Sequence, residues 1–375
     1  MSKCVWREVL GFVLVTIFLV SSRATSDINS YCTEQDSQDC FILRERSSPR
    51  SSEMPKARGI KEIATAHMQR EGAGFIVRRP IGGKIPDCDP FLMLDHFGPV
   101  EYGPGEAVGA PNHPHRGFET VSYIVEGSMQ HKDSVGNSGQ LKEGWVQWMT
   151  AGSGIVHSES PGDEMMAKGG RLEGFQLWVN LPAKDKMIPP RYQDTPAEEV
   201  PIVTTDNGNV WVKVIAGESL GTKAVIDTHT PIMMLDIHLQ PGAKFSQPVP
   251  KSYNGFAYVW RGSGYLGAEG TSMEMGQVAI LDDSDGEVVM EAAANDIVHI
   301  LLIAGEPINE PIAKYGPFVM NTMEEIQQTF QDYRSGKLGK IDGAEERYAQ
   351  AEAAKRKQKE TGRWAKDSAM ANSHH

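Results

Sequence analysis

The chain has 375 residues, of which 40% are hydrophobic and 23% charged, values typical of a soluble globular protein long enough for two domains. Its formal net charge of −12 leaves no basic surface of the kind that a phosphate backbone requires, which argues against direct nucleic-acid binding. The 38 glycines and 22 prolines predict frequent turns between short strands.

The first 24 residues have the pattern of a secretory signal peptide. Lys3 and Arg7 precede an apolar run over residues 9–20, and the small residues Ser22 and Ala24 permit cleavage after Ala24. The run is shorter than the ~20 apolar residues of a comfortable membrane span. We therefore expect no stable membrane span after cleavage, and a protein of the secretory pathway or the extracellular space. An uncleaved anchor, or a protein of the cytoplasm or nucleus, is the alternative.

Residues 25–58 are rich in Ser, Arg, Asp and Glu and lack hydrophobic periodicity, which predicts a flexible linker. Cys4 lies in the leader. Cys32 and Cys40 either close a small loop in an oxidising lumen or, like Cys88, remain free thiols. Because no CxxC pair occurs, the sequence excludes a cysteine zinc site.

Two blocks of similar pattern follow. Over residues 59–190, short apolar runs alternate with Gly, Pro, Asn and Asp, which is typical of an all-β sandwich or barrel. Residues 191–317 repeat this plan: SYIVEG at 122–127 matches AYVWRG at 257–262, and EGWV at 143–146 matches MGQV at 275–278. The matches predict duplication of one barrel, with one hairpin shorter by three residues in the second copy.

Over residues 318–375 the strand pattern ends and the sequence shows helix signals instead. Asn321 or Thr322 can cap a helix, and Glu324 or Glu325 three residues later completes a capping box. Apolar residues then recur at helical spacing. The remaining residues are Ala-rich and charged, which predicts an exposed helix or disorder, and we assign them no chemistry.

Two pairs of metal-competent side chains lie in the first block. His113 and His115 are two residues apart, and His157 and Glu159 repeat that spacing further along the chain. Residues i and i+2 of a strand share a face, so two adjacent strands can direct three imidazoles and one carboxylate at one ion. Such a set suits iron, manganese, nickel, copper or zinc and leaves positions open for a substrate.

Glu119 is a rival carboxylate, four residues after His115. Because Gly117 can break the strand alternation between them, spacing alone does not choose between Glu119 and Glu159. Arg116 is a candidate for a surface ion pair. Apolar residues near the motifs either line a pocket for a flat ligand or form ordinary barrel core: Phe118, Trp145, Trp148, Met149, Phe175 and Trp178.

Four stretches closely resemble the pirin family of the cupin superfamily. They are PFLMLDHF at 90–97, HPHRGFETV at 113–121, QWMTAG at 147–152 and GIVHSE at 154–159, and the resemblance spans about residues 59–340. It implies two tandem cupin barrels, with one iron in the N-terminal barrel. The ligands carried over from the family are His113, His115, His157 and Glu159, and Glu119 lies outside the coordination shell.

The internal repeat predicts that the second barrel is free of metal. At an offset of 135 residues the first two histidines fall on Pro248 and Pro250, and at 132 residues His157 falls on Val289. We therefore expect a packing or partner-binding role for this barrel, and a structural role for its His299.

Resemblance to pirins with quercetinase activity implies oxygen-dependent cleavage of a small planar flavonol such as quercetin. The expected cofactor is one transition-metal ion, Fe(II) in the first place, with dioxygen as co-substrate. Glu159 is then also the catalytic base. The family implies an alternative of another class, a non-enzymatic, iron-dependent and redox-responsive adaptor of transcription factors, against which the predicted leader argues.

Overall fold

The computed structural model describes residues 56–72, 74–364 and 366. The predicted signal peptide over 1–24 and the predicted linker over 25–58, apart from its last three residues, lie outside the described residues, as do Cys4, Cys32 and Cys40. None of the helices in the described ranges is long and apolar enough to cross a membrane.

Short strands dominate the structure, as the alternating apolar runs predict. Up to residue 195 they are β1 (Ile60–Thr65), β2 (His67–Glu71), β3 (Phe75–Ile81), β4 (Phe91–Tyr102), β5 (Ala110–His115), β6 (Phe118–Glu126), β7 (Met129–Asp133), β8 (Ser138–Leu141), β9 (Val146–Thr150), β10 (Ile155–Pro161), β11 (Gly170–Asn180) and β12 (Arg191–Thr195). A short helix, α1 (Asp163–Lys168), joins β10 to β11, and a 3-10 turn spans Ala183–Asp185.

The second half of the chain repeats this pattern. Its strands are β13 (Ile202–Thr204), β14 (Val210–Ala216), β15 (Glu218–Ser219), β16 (Thr222–Lys223), β17 (Ile232–Leu239), β18 (Lys244–Pro248), β19 (Asn254–Arg261), β20 (Ser263–Leu266), β21 (Thr271–Glu274), β22 (Gln277–Leu281), β23 (Glu287–Ala292), β24 (Val298–Gly305), β25 (Ala313–Tyr315) and β26 (Phe318–Met320). Two helices follow them, α2 (Met323–Arg334) and α3 (Ala344–Glu360).

Two antiparallel sheets form the N-terminal barrel. One has the strand order β12-β9-β6-β11-β4-β3-β2 and the other β5-β10-β7-β8. Side chains alternate across each strand. In β6, Ser122 faces the interior, where it donates a hydrogen bond to Glu159, and Tyr123 faces the other barrel, where its hydroxyl donates to Asp236.

The C-terminal barrel has the same plan, with sheets β1-β22-β19-β24-β17-β14-β13 and β18-β23-β20-β21. Tyr123 pairs with Val146 in the first barrel, and Tyr258 pairs with Val278 in the second. These two pairs have the same offsets as the sequence repeat. The predicted all-β fold of two tandem cupin barrels is therefore confirmed.

Two strands pair with the barrel other than the one whose predicted range contains them. β1 falls in the range predicted for the first barrel, 59–190, yet it pairs with β22 of the second. β12 falls in the range predicted for the second barrel, 191–317, yet it pairs with β9 of the first. Each barrel thus receives an edge strand from beyond the predicted boundary, because ladder pairing depends on backbone hydrogen bonds that apolar alternation does not show.

The seven-stranded sheets pack against each other over a buried aromatic core that includes Trp148, Phe175, Phe256 and Trp260. A carboxylate, Asp236, lies within this interface. It accepts hydrogen bonds from Tyr123 Oη (2.8 Å), Trp260 Nε1 (3.0 Å) and His238 Nε2 (3.0 Å). These donors come from both barrels, so Asp236 links them, and the donors hold its pKa below the usual range despite burial.

Cys88 lies at the same interface as a buried free thiol. Burial, and then the nearby Asp87 and Asp89, raise its pKa to about 12. Since only the thiolate is a good nucleophile, Cys88 is a core side chain and not a reactive one.

The C-terminal segment, which comprises residues 313–364, packs on the N-terminal barrel. α2 begins with a capping box, in which Thr322 Oγ1 accepts from Glu325 N (3.2 Å) and Glu325 Oε2 accepts from Thr322 N (3.0 Å). Its Ile326 packs with Val156 of β10. α3, predicted as an exposed helix or disorder, is a helix whose Ala354 packs on Val108 just before β5. Both helices therefore extend the walls of the first barrel.

Candidate metal centre

Three of the four predicted ligands converge in the N-terminal barrel. β5 and β10 are antiparallel neighbours, in which His157 pairs with His113 and Ile155 with His115. One ring nitrogen of each of the three histidines lies within 4.8 Å of the others. The ring centroids are 4.3 Å apart for His113 and His157, and 4.9 Å for His115 and His157. Three imidazoles at such separations can bind one ion.

In two of the three histidines, His113 and His115, a backbone carbonyl binds Nδ1 and leaves Nε2 for another partner. His113 Nδ1 lies 2.8 Å from the carbonyl oxygen of Pro111, and His115 Nδ1 lies 3.3 Å from that of Pro317. A carbonyl oxygen accepts a hydrogen bond from Nδ1–H, which fixes the tautomer with its Nε2 lone pair available to a metal. The backbone thus presents both imidazoles in the form that ligation requires.

His157 carries the clearest signal of a missing partner. It is 1% exposed, and both of its ring nitrogens are buried without a hydrogen bond in the part of the chain that the structure describes. Burial, and then the neighbouring His113, lower the pKa of His157 and of His115 well below the usual value. Neutral imidazoles with unsatisfied nitrogens fit a bound cation, because leaving a buried polar atom unpaired is costly.

Glu159 lies beside this cluster. It follows His157 by two residues on β10, but a bulge in the pairing with β5 places it opposite Ala110 instead of Pro111. Its Oε1 accepts a hydrogen bond from Ser122 Oγ (3.1 Å), and its side chain lines the adjoining cavity. Glu159 is not within the 4.8 Å group of the three histidines. Glu159 is therefore the carboxylate of β10, and it lies on the cavity side of the strand, outside the histidine cluster.

Glu119 is directed away from the histidines. Gly117 adopts a φ of +85°, and from Phe118 onward the strand alternation puts Phe118 against His115. Glu119 lies on the opposite face, fully buried, where Thr150 Oγ1 donates to its Oε1 at 2.7 Å. Burial raises its pKa. The geometry thus favours Glu159 over Glu119 as the fourth ligand, a choice that spacing alone left open.

Arg116 is buried, contrary to the surface ion pair that the sequence suggested. Its Nε donates to the Ser153 carbonyl (2.7 Å), and its Nη1 donates to Thr329 Oγ1 (3.2 Å) and Asp332 Oδ2 (2.9 Å) of α2. Hydrogen bonds from Lys337 and Arg116 hold the pKa of Asp332 far below its usual range. This pair fixes α2 to the residue that follows His115.

Sequence reasoning missed Lys186, which is 1% exposed. Its ammonium donates to Asn180 Oδ1 (2.7 Å), the Gly117 carbonyl (2.8 Å) and the Val319 carbonyl (3.2 Å). Burial lowers its pKa to about 8. Lys186 thus joins the turn after β5, the strand that carries His113 and His115, to the C-terminal segment. No signal in the local sequence AKDK distinguishes it from a solvated lysine.

A cavity of about 580 Å³ opens beside the histidines. Of the apolar candidates named from the sequence, Trp178 lines it, and Phe118 lies behind Trp178 with ring centroids 4.4 Å apart. Trp148 and Phe175 belong instead to the core between the barrels. Met149 packs in a separate buried cluster, and Trp145 is not among the lining residues.

The C-terminal segment supplies part of the cavity wall. Lys314, Gly316, Pro317 and Tyr348 line it, and Tyr348 Oη donates to the Asn112 carbonyl (2.8 Å). Tyr348 lies in the Ala-rich tail to which the sequence assigned no chemistry, so that tail contributes to the border of the candidate site. Long-range contacts of this kind leave no mark on local periodicity.

The second barrel has no comparable cluster among the described residues. Ladder pairing places Ser246 opposite Val289, where the first barrel has His113 opposite His157. The positions equivalent to the first two histidines are thus Ser246 and Pro248, and not Pro248 and Pro250 as the offset of 135 predicted. The offset fails here because Ser246 precedes Tyr258 by two residues more than His113 precedes Tyr123. His299 stacks on His238 with ring centroids 3.6 Å apart, consistent with a structural role.

Comparison with known proteins gives consistent matches. The profile of the family described as Pirin matches residues 74–179, and that of the Pirin C-terminal cupin domain matches residues 234–339. A pirin-like protein of Solanum lycopersicum is 44% identical over 77% of this chain and 96% of its own length. Human pirin is 46% identical over 72% of this chain and 90% of its own length. A crystal structure of quercetin 2,3-dioxygenase from Acinetobacter baumannii is 38% identical, with a TM-score of 0.72, covering 76% of this chain and 99% of that protein.

Proposed function

The chain belongs to the pirin family, and we propose that it is a metal-dependent dioxygenase that cleaves flavonols such as quercetin. The observation that carries the proposal is a cluster of three histidines with an unpartnered buried imidazole, next to a cavity of about 580 Å³. Similarity to a quercetin 2,3-dioxygenase of known structure supports the choice of substrate.

We propose His113, His115, His157 and Glu159 as the ligands of one transition-metal ion, with iron as the first candidate. Three neutral nitrogens and one carboxylate oxygen are a donor set that iron accepts, although the set does not by itself select iron over its neighbours. When bound, the metal supplies Lewis acidity that lowers the pKa of a coordinated substrate hydroxyl.

The chain's own residues provide the remaining chemistry. Glu159 lines the cavity, so its carboxylate is placed to accept the hydroxyl proton of a flavonol. Ser122 Oγ lies 3.1 Å from Glu159 Oε1 and 2.9 Å from Gln176 Oε1, and the hydrogen bond that it donates to Glu159 orients the carboxylate. The indole of Trp178 offers a flat apolar surface to a planar ring, and the apolar wall excludes water around it.

A turnover assay tests this proposal. Metal-loaded protein mixed with quercetin in air should consume oxygen, bleach the visible absorption of quercetin and release carbon monoxide, all in parallel. The same metal free in buffer is the control. If the loaded protein shows no oxygen uptake above that control, the dioxygenase proposal fails and the redox-responsive adaptor becomes the better reading of the family.

We propose further that the leader directs the chain into the secretory pathway. The charged start, the apolar run over residues 9–20 and the small residue Ala24 support it. Mass spectrometry of the N-terminus of protein from the native host should find a chain starting at Thr25. An intact Met1 on a protein purified from cytosol or nuclei would overturn this proposal and favour the adaptor.

A further inference from the structure

Two basic side chains line the cavity beside the histidines, and they differ in their partners. Arg79 is fully engaged: its Nε and Nη2 donate to the two oxygens of Asp95 at 2.7 and 2.6 Å, and Nη2 lies 2.7 Å from Glu71 Oε1. Lys314 has no hydrogen bond or ion pair to any residue that the structure describes. Its charge is therefore the one left available on this wall.

The position of Lys314 relates it to the metal centre. Its Nζ lies 5.2 Å from the centroid of the Trp178 ring, and the ring of His115 lies 5.3 Å from that same centroid. One indole thus contacts both the histidine cluster and the lysine. A planar ligand that lies along Trp178 with one end at the histidines would bring its other end toward the ammonium.

Charged groups of both signs surround Lys314, and none of the described ones forms an ion pair with it. Partial desolvation, and then the positive charge of Arg79, lower the pKa of Lys314, against the opposing effect of Asp87, Asp95 and Glu71. Asp95 and Glu71 are both bound to Arg79 and so do not neutralise the ammonium directly. A negative group on a ligand would supply the missing partner through a charge-assisted hydrogen bond.

We propose that Lys314 makes the cavity selective for anionic planar aromatic ligands, which bind the metal through oxygen at one end and Lys314 through a negative group at the other. The inference rests on the proposed metal site for the first end only. It deepens the proposed function, because it separates substrates that share a flavonol core by their charge.

The test measures binding without turnover. Metal-loaded protein under argon is titrated with quercetin and with a quercetin sulfonate at pH 6, and quenching of tryptophan fluorescence gives each Kd. Wild type should bind the sulfonate about tenfold more tightly than quercetin, since one well-placed charged hydrogen bond at an accessible site is worth about that factor. Added salt should reduce this preference.

Three variants assign the preference to Lys314. Lys314→Met keeps the length of the side chain and should lose the preference, whereas Lys314→Arg should retain it. Lys251→Met, at an exposed lysine of the second barrel, is the matched control and should behave as wild type. Equal preference in Lys314→Met and wild type, or no preference in wild type, would overturn the proposal.

The same samples distinguish this proposal from the proposed function. Selective binding under argon without any oxygen uptake in air would reject the dioxygenase and leave the Lys314 site standing. Turnover of both flavonols with equal KM in wild type and Lys314→Met would reject the Lys314 site and leave the dioxygenase standing.

Discussion

The two barrels have the same pattern of strand pairing, but different side chains fill their interiors. In the first, β5 and β10 direct His113, His115 and His157 at one point beside a cavity. In the second, β18 and β23 carry Ser246 and Val289 at matching positions, and buried apolar side chains such as Phe245, Leu266, Met273 and Met290 fill the interior. The two barrels thus have the same backbone scaffold, and a few inward-facing side chains determine which barrel can form a ligand-binding site.

The polar interior of the first barrel comes with additional supports that the second does not share. Pro317, Asp332 and Val319 all belong to the C-terminal segment, and they contact His115, Arg116 and Lys186 respectively. Polar groups and a cavity contribute less to stability than a filled apolar core does. We infer that the C-terminal segment stabilises β5, the strand that carries His113 and His115.

The largest expected effect is loss of metal from the first barrel alone. His113→Ala or His157→Ala should reduce the metal content from about one equivalent per chain to near zero, because removal of one imidazole underfills the ligand set. His299→Ala, in the second barrel, should leave it unchanged. Elemental analysis of purified protein measures this. One equivalent that survives either substitution in the first barrel would place the metal elsewhere.

The next comparison is between two carboxylates of the first barrel. Glu159→Gln should weaken metal retention and reduce flavonol turnover by ~10²–10⁴-fold, if Glu159 is both ligand and base. Glu119→Gln should leave the metal bound, because Glu119 faces away and bonds to Thr150. Metal content and initial rates of the two variants decide between them. The opposite outcome would move the carboxylate ligand to the strand that follows His115.

The sequence predicted those parts of the fold and of the candidate site that depend on residues close together in the chain, and not those that depend on residues far apart in it. The i, i+2 pairs His113/His115 and His157/Glu159 led to the three clustered histidines, because strand alternation is a local rule. The capping box of α2 was equally local. The burial of Lys186 and the contact of Pro317 with His115 were not predictable, because they join residues far apart in sequence and involve backbone carbonyls, which have no residue signature.

A third prediction tests the link between the barrels. Asp236→Asn replaces a fully buried carboxylate by an amide that cannot accept from Tyr123, Trp260 and His238 at once. We expect the free energy of unfolding to fall by about 3 kcal/mol. Tyr123→Phe removes one donor and should cost about 1 kcal/mol. Urea denaturation measures both; equal effects would mean that Asp236 does not act as the common acceptor.

The smallest expected effect concerns His299 of the second barrel, whose protonation should change the stability of the protein and not its metal content. Burial, and then the neighbouring His238, lower the pKa of His299 from 6.5 to about 4, and Arg261 acts in the same direction. Asp236 and Glu173 oppose this shift. Because the folded pKa lies below the unfolded one, the stability linked to His299 is present above pH 6.5 and is lost as the pH falls through 4.

His299→Phe keeps an aromatic ring against His238 and removes the titration. Its free energy of unfolding, relative to that of wild type, should therefore rise by about 1–2 kcal/mol between pH 7 and pH 4, a range discounted for the partial exposure of His299. Chelator-treated protein is used for both, so that protonation of the histidines in the first barrel does not add metal release to the comparison. If wild type and His299→Phe lose stability in parallel over this range, His299 does not carry the acid sensitivity of the second barrel.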